Sequence, residues 1–301
     1  MDSVIHVAMA ADPGYKRQLA VSLSSLAKTQ PPGTCAVTVL HEGISRRDRD
    51  RIAACVTFSL ELAWIEIDPR PVKNLHSAPN SSASFFRMML PDLLPDLDRI
   101  IYLDCDIVVC SPLTELWQCK IGDAIVGAVR DAVSPWAAGQ FMTHWRDLGL
   151  PPDAPYFNSG VLIIPLSAWR KEGVAAAMLD LLRSVHCVQG DQDALNTIAH
   201  GHWHELPRRW NVQTMDWLGQ TIGWALMREE IEAALADPAI IHYTTPGKPW
   251  WLGSTHPRND LWFEYLGFTP WPEWRPRTRH APWREAARRA KHASRMLVKG
   301  V

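Results

Sequence analysis

The 301-residue chain has almost no net charge: 31 Lys and Arg stand against 32 Asp and Glu, leaving −1 with histidine neutral. That balance gives no general pull toward a polyanion, so no nucleic-acid partner is expected. The six cysteines (35, 55, 105, 110, 119 and 187) include no C-x-x-C pair and no zinc-ligand spacing. They read as buried free thiols, which excludes a disulfide scaffold and suits a reducing cytoplasm. No stretch reaches the roughly 18–20 apolar residues of a membrane-crossing helix. The start, Met1-Asp2-Ser3-Val4-Ile5-His6-Val7-Ala8-Met9-Ala10, has no basic beginning and too short an apolar run for a secretory leader. It reads as a first strand. There is no internal repeat.

What is present is an ordinary globular composition, 47% hydrophobic and 21% charged, with uneven charge along the chain. Residues 271–301 carry nine Lys/Arg and two Glu, a local +7; the first 270 hold the other 22 basic and 30 acidic residues, a local −8. Strand-like runs at 3–10, 35–41, 60–67, 99–109, 124–130 and 156–165 alternate with helical patterns at 15–28, 45–55 and 84–94. Ser45 supplies an N-cap, and Pro13-Gly14 a turn. A single long helix is expected over 167–186, closed by Gly190, with another from Asp191 to about Gly201. Segment 131–155, rich in Pro, Gly and Trp, reads as a long functional loop. Strand and helix in alternation predict an α/β fold: a Rossmann-like, mainly parallel central sheet with helices on both faces. Such sheets bind ligands at the carboxyl ends of their strands.

The most informative segment is Arg99-Ile100-Ile101-Tyr102-Leu103-Asp104-Cys105-Asp106-Ile107-Val108-Val109. Read as one buried strand, it directs Asp104 and Asp106 to one face and Cys105 to the other. Two converging carboxylates among apolar neighbours need a cation, and oxygen ligands suit Mn²⁺ or Mg²⁺ with a diphosphate completing the shell. Turn-forming or capping aspartates are the plainer alternative.

Other polar residues each admit two readings. Asp191 and Asp193, around Gln192, fit acids in the first turn of a helix, whereas Gln192 has no such explanation. Arg87, within Ser84-Phe85-Phe86-Arg87-Met88-Met89-Leu90, needs an anionic partner, either an acid of the site or a substrate. His242, after two isoleucines, is a core residue or a ligand. Asn158 is a turn residue or an amide aimed at sugar hydroxyls. Lys248, in a stiff Gly-Lys-Pro turn, can present a cation to a phosphate.

In order along the chain, Ala10-Ala11-Asp12, Ser84 to Arg87, Tyr102-Leu103-Asp104-Cys105-Asp106, Tyr156-Phe157-Asn158-Ser159-Gly160, Asp191-Gln192-Asp193, and His242-Tyr243 with Lys248-Pro249-Trp250 resemble retaining glycosyltransferase family 8. The likeness is to its bacterial lipopolysaccharide galactosyl- and glucosyltransferases. It implies a glycosyltransferase A-type fold over residues 1–250 and a Trp-rich, basic extension over 251–301. It implies Mn²⁺, with Mg²⁺ as an alternative, held by Asp104, Asp106 and His242. The implied UDP-sugar site comprises Ala10, Asp12, Tyr15, Arg87, Asp104, Cys105, Asp131, Asn158 and Lys248. Of these, Ala10, Asp12 and Tyr15 would wall the uracil pocket, Lys248 would meet the diphosphate, and Arg87, Asp131 and Asn158 would hold the sugar with Asp191. Gln192 falls beside the anomeric carbon. Same-face attack is favoured for retention, because an amide is a poor nucleophile, with Asp191 as the candidate for a covalent route.

The chain departs from the family at Thr245, where a glycine is usual, and at Pro13-Gly14, which replace a more polar loop; both bear on nucleotide affinity. Trp271, Trp274 and Trp283, interleaved with Arg275, Arg277, Arg279 and Arg284, suggest either a solvated tail or a basic helix on an anionic membrane surface. The expected function is transfer of galactose or glucose from UDP-galactose or UDP-glucose to a glycan or glycolipid acceptor, such as lipopolysaccharide core. The expected location is the cytoplasm, peripheral on the inner face of the membrane. The rivals are a metal-dependent phosphatase of the haloacid dehalogenase type and a non-catalytic nucleotide-sugar-binding module. The phosphatase wants a threonine at position 108, which is valine, and its nucleophile on the first strand.

Overall fold

The structure is a computed structural model that describes residues 4–72, 75, 81–138, 144–244 and 247–276. Ten strands are described: β1 Ile5–Ala11, β2 Cys35–His41, β3 Leu60–Glu66, β4 Ile100–Leu103, β5 Ile107–Val109, β6 Val126–Arg130, β7 Phe157–Ile164, β8 Trp203–Glu205, β9 Val212–Gln213 and β10 Ile240–His242. Seven form the main sheet in the order β3-β2-β1-β4-β7-β6-β8, in which only β7 runs against the rest. The expected mainly parallel sheet is therefore present. Alternate residues of each strand feed two cores: Ala8, Ala10, Ile100 and Tyr102 pack on one face, and Val7, Met9, Ile101 and Leu103 on the other. Strand order reverses between β1 and β4, so their carboxyl ends flank the crevice where open α/β sheets bind ligands.

The stretch 99–109 is not the single strand its composition suggests. It breaks at Asp104-Cys105-Asp106, after which β5 leaves the main sheet and pairs antiparallel with β10 in a small β5-β10-β9 sheet. Residues 100–103 and 107–109 are buried on both faces, so no hydrophobic alternation marks the break. The aspartates mark it instead, since two carboxylates fit a turn at a sheet edge better than a buried ladder. The turn's backbone is well satisfied. The Asp104 amide donates to the Gly160 carbonyl at 2.8 Å, Ser22 Oγ donates to the carbonyls of Cys105 and Ile107, and Tyr243 N donates to the Asp106 carbonyl.

Other boundaries also shift. Gly173, at φ 65°, divides the expected 167–186 helix into Leu166–Glu172 and Val174–Ser184. The 84–94 helix is a 3₁₀ turn over Ser82–Met89 followed by a single α-turn, Leu90–Leu93, with Pro91 at its start. Gly190 is the N-cap of Asp191–Ile198 rather than the end of the preceding helix.

A third core joins β5 and β10 to the C-terminal tryptophans: Val108, Ile241, Tyr243, Trp250, Trp262 and Leu266 pack together with Val21 of the helix Lys16–Thr29. Beyond it, Trp271 and Trp274 turn back onto the first two helices. Arg51 and Lys16 lie 5.3 and 5.6 Å from the Trp271 ring centre, and Arg17 lies 4.7 Å from that of Trp274. Thr245, and the basic segment from Arg277 through Trp283 onward with its expected surface helix, lie outside the described residues. Among the described residues no helix is long and apolar enough to cross a membrane.

Candidate functional site

Asp104 and Asp106 stand at the carboxyl end of β4, and the end of β10 brings His242 against them. One ligand atom from each of the three falls within 4.8 Å of the others. His242 Nε2 is 3.1 Å from Asp106 Oδ1 and 3.9 Å from Asp104 Oδ2. Its Nδ1 lies 2.9 Å from Asn211 Oδ1, a contact that fixes the ring so that Nε2 faces the carboxylates. Two carboxylates and an imidazole suit a hard or borderline divalent cation. Gly160 on β7 makes the cluster sterically possible: a Cβ there would lie 2.1 Å from His242 Cε1 and 2.9 Å from Asp104 Oδ2.

Lys248 donates to Asp106 Oδ2. Burial opposes ionisation of Asp106, but Lys248 and His242 outweigh it and hold the carboxyl below the usual carboxylate range. Cys105 turns away into the core, as expected, with its Sγ 3.4 Å from the Ala10 carbonyl. It thereby ties the aspartate turn to the end of β1.

Arg87 is 1% exposed and resolves in favour of the salt-bridge reading. It donates to Asp104 Oδ1 at 3.0 Å and to the Ser159 carbonyl, and its Nε lies 3.1 Å from Asp191 Oδ2. That Nε is directed to the Ser84 carbonyl, so Asp191 Oδ2 has a charge partner without a hydrogen bond. Burial is the main reason that the Asp191 carboxyl is pushed up to about 6; Arg87 pulls it the other way. Asp191 and Asp193 lie in the first turn of Asp191–Ile198, as expected, but both are buried. Both face inward.

Asp131, Asn158 and Gln192 form one network. Asp131 Oδ1 accepts from Val133 N and Ser134 N, and Oδ2 accepts from Asn158 Nδ2 at 3.1 Å and Gln192 Nε2 at 3.4 Å. Gln192 Oε1 accepts from Ser159 N at 3.0 Å. Asn158 Oδ1 accepts from Asn211 Nδ2, which links this network to the back of His242. A cleft of about 460 Å³, counting space open to solvent, is lined by Asp131, Asn158, Gln192, Gln189, Gln213 and Thr244 among others.

The nucleotide-side candidates lie one strand away. Asp12 follows β1 and caps the turn Pro13–Tyr15 through Gly14 N and Tyr15 N, while its other oxygen accepts from Ser81 Oγ at 2.5 Å. Ala10 is buried in β1. Tyr15 meets Trp250 edge-on at 6.2 Å, and burial pushes its phenol up to about 12.

Several residues around this site carried no sequence signal. Asn211 lies between Trp210 and Val212 in a segment with no readable period, and Gly160, though the last residue of the Tyr156–Gly160 motif, gives no hint in sequence of its approach to His242. Gln213, whose side chain bridges Ala132 N and the Arg130 carbonyl, lies on a two-residue strand. His144, which pairs with Asp193 at 2.8 Å, is distant from it in sequence.

Comparison with known proteins agrees with this geometry. The family described as Glycosyl transferase family 8 matches residues 6–252. General stress protein A of Bacillus subtilis (strain 168) is 30% identical over 280 residues, 90% of this chain and 96% of that protein. Lipopolysaccharide 1,3-galactosyltransferase of Salmonella typhimurium is 24% identical over 278 residues, 88% and 79% of the two chains. The crystal structure of galactosyltransferase LgtC with donor and acceptor sugar analogues superposes with a TM-score of 0.72 at 24% identity, covering 93% of this chain and 99% of the other. The fold is thus the glycosyltransferase A type, and the chain belongs to glycosyl transferase family 8.

Proposed function

We propose that this transferase is retaining and moves a hexose, galactose or glucose, from its UDP-sugar to a glycan acceptor, lipopolysaccharide core or another cell-surface glycan. The observation that carries the reading is the convergence of Asp104, Asp106 and His242, with Lys248 on Asp106, at the point where strand order reverses. Those three ligands fit Mn²⁺ well and Mg²⁺ less well, because an imidazole nitrogen suits the softer ion. A bound divalent ion would offset negative charge as the diphosphate leaves.

The chain's own residues do the rest. Lys248, 12% exposed at its side chain, is a cation in a site of low dielectric, where it stabilises the growing charge of departing UDP. Ala10, Asp12 and Tyr15 form the base pocket, with Cys105 behind the aspartate turn. Asp131 and Asn158 hold the sugar, and Arg87, paired with Asp104 and Asp191, fixes the acids on that side of the site. Gln192 lies along the cleft, where its amide dipole can stabilise positive charge at the anomeric carbon. Same-face attack is the favoured route, since Asp191 is engaged with Arg87 and 3% exposed. Residues 1–250 make up the donor-binding unit. The 251–301 extension braces it and, through its basic end, attaches the enzyme to the anionic inner face of the membrane, on the cytoplasmic side.

The test is UDP release from UDP-galactose, UDP-glucose and other UDP-sugars, with Mn²⁺ or with chelator. One donor is expected to turn over only with metal, and Asp106→Asn to lower that turnover about a thousandfold. Phosphate release in place of UDP would favour the phosphatase. UDP binding without turnover, with acceptor glycans supplied, would favour the binding module. Absence of both binding and turnover would overturn the reading.

A further inference from the structure

Asp193 is fully buried, and its carboxylate collects three donors. His144 Nε2 lies 2.8 Å from Oδ2, Gln189 N donates to the same oxygen at 2.7 Å, and Tyr156 OH donates to Oδ1 at 2.6 Å. These donors come from three places: the loop that follows β6, the turn before the helix Asp191–Ile198, and the residue preceding β7. A carboxylate so placed with a buried anchor does more than begin a helix, because exposed first-turn acids satisfy the dipole without any of these partners.

The consequence passes through Tyr156. Its hydroxyl proton is committed to Asp193, so the phenol oxygen is left as an acceptor. Burial, reinforced by Asp193, raises the phenol well above its ordinary value, so the proton stays. Gln192 Nε2 approaches that oxygen at 3.4 Å and Asp131 Oδ2 at the same distance, while Ser159 N meets Gln192 Oε1 at 3.0 Å. Both acceptors lie at the nitrogen end of the amide, and the donors, Ser159 N and Asn158 Nδ2, at the oxygen end. The side chain therefore has one orientation of its C=O dipole rather than two.

We propose that the buried Asp193–Tyr156 pair, tied to the loop by His144, is a positioning device that sets the direction of the Gln192 amide at the reacting centre. The inference rests on the donor reading above and deepens it. Asp193 and Tyr156 act through Gln192 rather than on the sugar. In Asp193→Asn the new side chain carries an NH₂ as well as an oxygen. If the NH₂ takes the place of Oδ1, it donates to the phenol oxygen, and the Tyr156 proton must then turn toward Gln192 Nε2 and oppose the amide orientation that Ser159 and Asp131 favour.

The experiment compares wild type, Asp193→Asn and Tyr156→Phe in Mn²⁺-dependent UDP release from the preferred donor. Alongside it run UDP titration by calorimetry and thermal unfolding. Tyr156→Phe keeps the ring and removes only the hydroxyl, so it serves where the Asp193 variant folds poorly. The expected result is a fall in kcat of about 10–100-fold, the usual cost of losing an outer partner of a functional group. KM for the donor, UDP affinity and unfolding midpoint should stay close to wild type. An unchanged kcat overturns the proposal. So does a loss in which KM rises while UDP affinity and midpoint fall along with kcat, which is the mark of a merely structural pair. A wild-type chain that binds UDP but turns over no donor overturns both readings, since there is then no reacting centre to orient.

Discussion

The N-terminal and C-terminal parts of the molecule are built differently, and the site needs both. Up to β4 the chain lays down long parallel strands with helices between them, and each of β1, β2 and β3 has seven residues. After residue 200 the strands shrink to two or three residues, and order comes from buried polar contacts and tryptophans. The first region supplies a rigid edge carrying Asp104 and Asp106. The second delivers His242 and Lys248 to that edge by pairing β10 with β5. A periodic scaffold sets one half of a site, and a non-periodic wrap completes it.

The sharpest way to break this division is to remove what holds the wrap without touching the scaffold. Arg208 and Asp216 form an ion pair with side chains 1% and 0% exposed, at 3.0 and 3.2 Å. Asp216 also accepts from Thr221 Oγ1 and from Gln213 N, whose side chain lines the cleft. Arg208→Ala leaves a buried carboxylate without its counter-charge. It should cost about 3–5 kcal/mol in denaturant unfolding. If the two parts unfold separately, the first transition will carry that loss and the scaffold will keep its midpoint.

The contrast also governs what was legible from residues alone. The 3.6- and 2-residue periodicities of the N-terminal half foretold β1, β2, β3 and the helices between them within a few positions, because each of these elements buries a patterned face. Two-residue and three-residue strands have no period to read. That is why β8, β9 and β10 went unforeseen. The two aspartates converge with His242 as a metal-ligand pair would, but they mark a turn rather than mid-strand, since β4 and β5 are apolar on both sides of it. The in-order motifs flagged the chemical groups, yet the residues behind them stayed hidden. Asn211, Gln213 and His144 act through positions that only the fold brings together.

At the junction itself, Gly160→Ala tests whether the two parts must approach so closely. The added methyl falls 2.1 Å from the His242 ring and 2.9 Å from Asp104, so the imidazole must move off its ligand position. Mn²⁺ affinity, followed by calorimetry in the presence of UDP, should fall about 10–100-fold. A variant with unchanged Mn²⁺ affinity would show that His242 has room to swing and still bind.

A milder perturbation uses proton concentration. Burial holds Asp191 up to about 6, so below that pH it is increasingly protonated and neutral. The lost charge leaves Arg87 with only Asp104 as an ionic partner in the site. Donor kcat/KM is expected to fall as pH drops through 6, approaching about tenfold per pH unit well below it. Asp191→Asn should abolish that acid limb along with part of the activity. A limb that persists in the variant would assign the titration elsewhere.

The smallest effect is expected where the C-terminal end returns to the scaffold. Trp274 lies 6.1 Å from Trp262 in an edge-to-face arrangement and has Arg17 over its ring, while Arg51 donates to the Pro270 carbonyl at 2.8 Å. Arg17 belongs to the first turn of the helix Lys16–Thr29, directly after the Asp12-capped turn. Its partly buried guanidinium needs the ring as compensation, since burial lowers its basicity. Trp274→Ala removes that face and should cost about 1–2 kcal/mol, a shift of about 2–4 °C in unfolding midpoint. UDP affinity should hold within twofold, because Asp12 keeps its own contacts to Gly14, Tyr15 and Ser81. If UDP affinity falls further than the midpoint accounts for, the returning segment helps shape the base pocket as well as bracing it, and the boundary between scaffold and wrap moves accordingly.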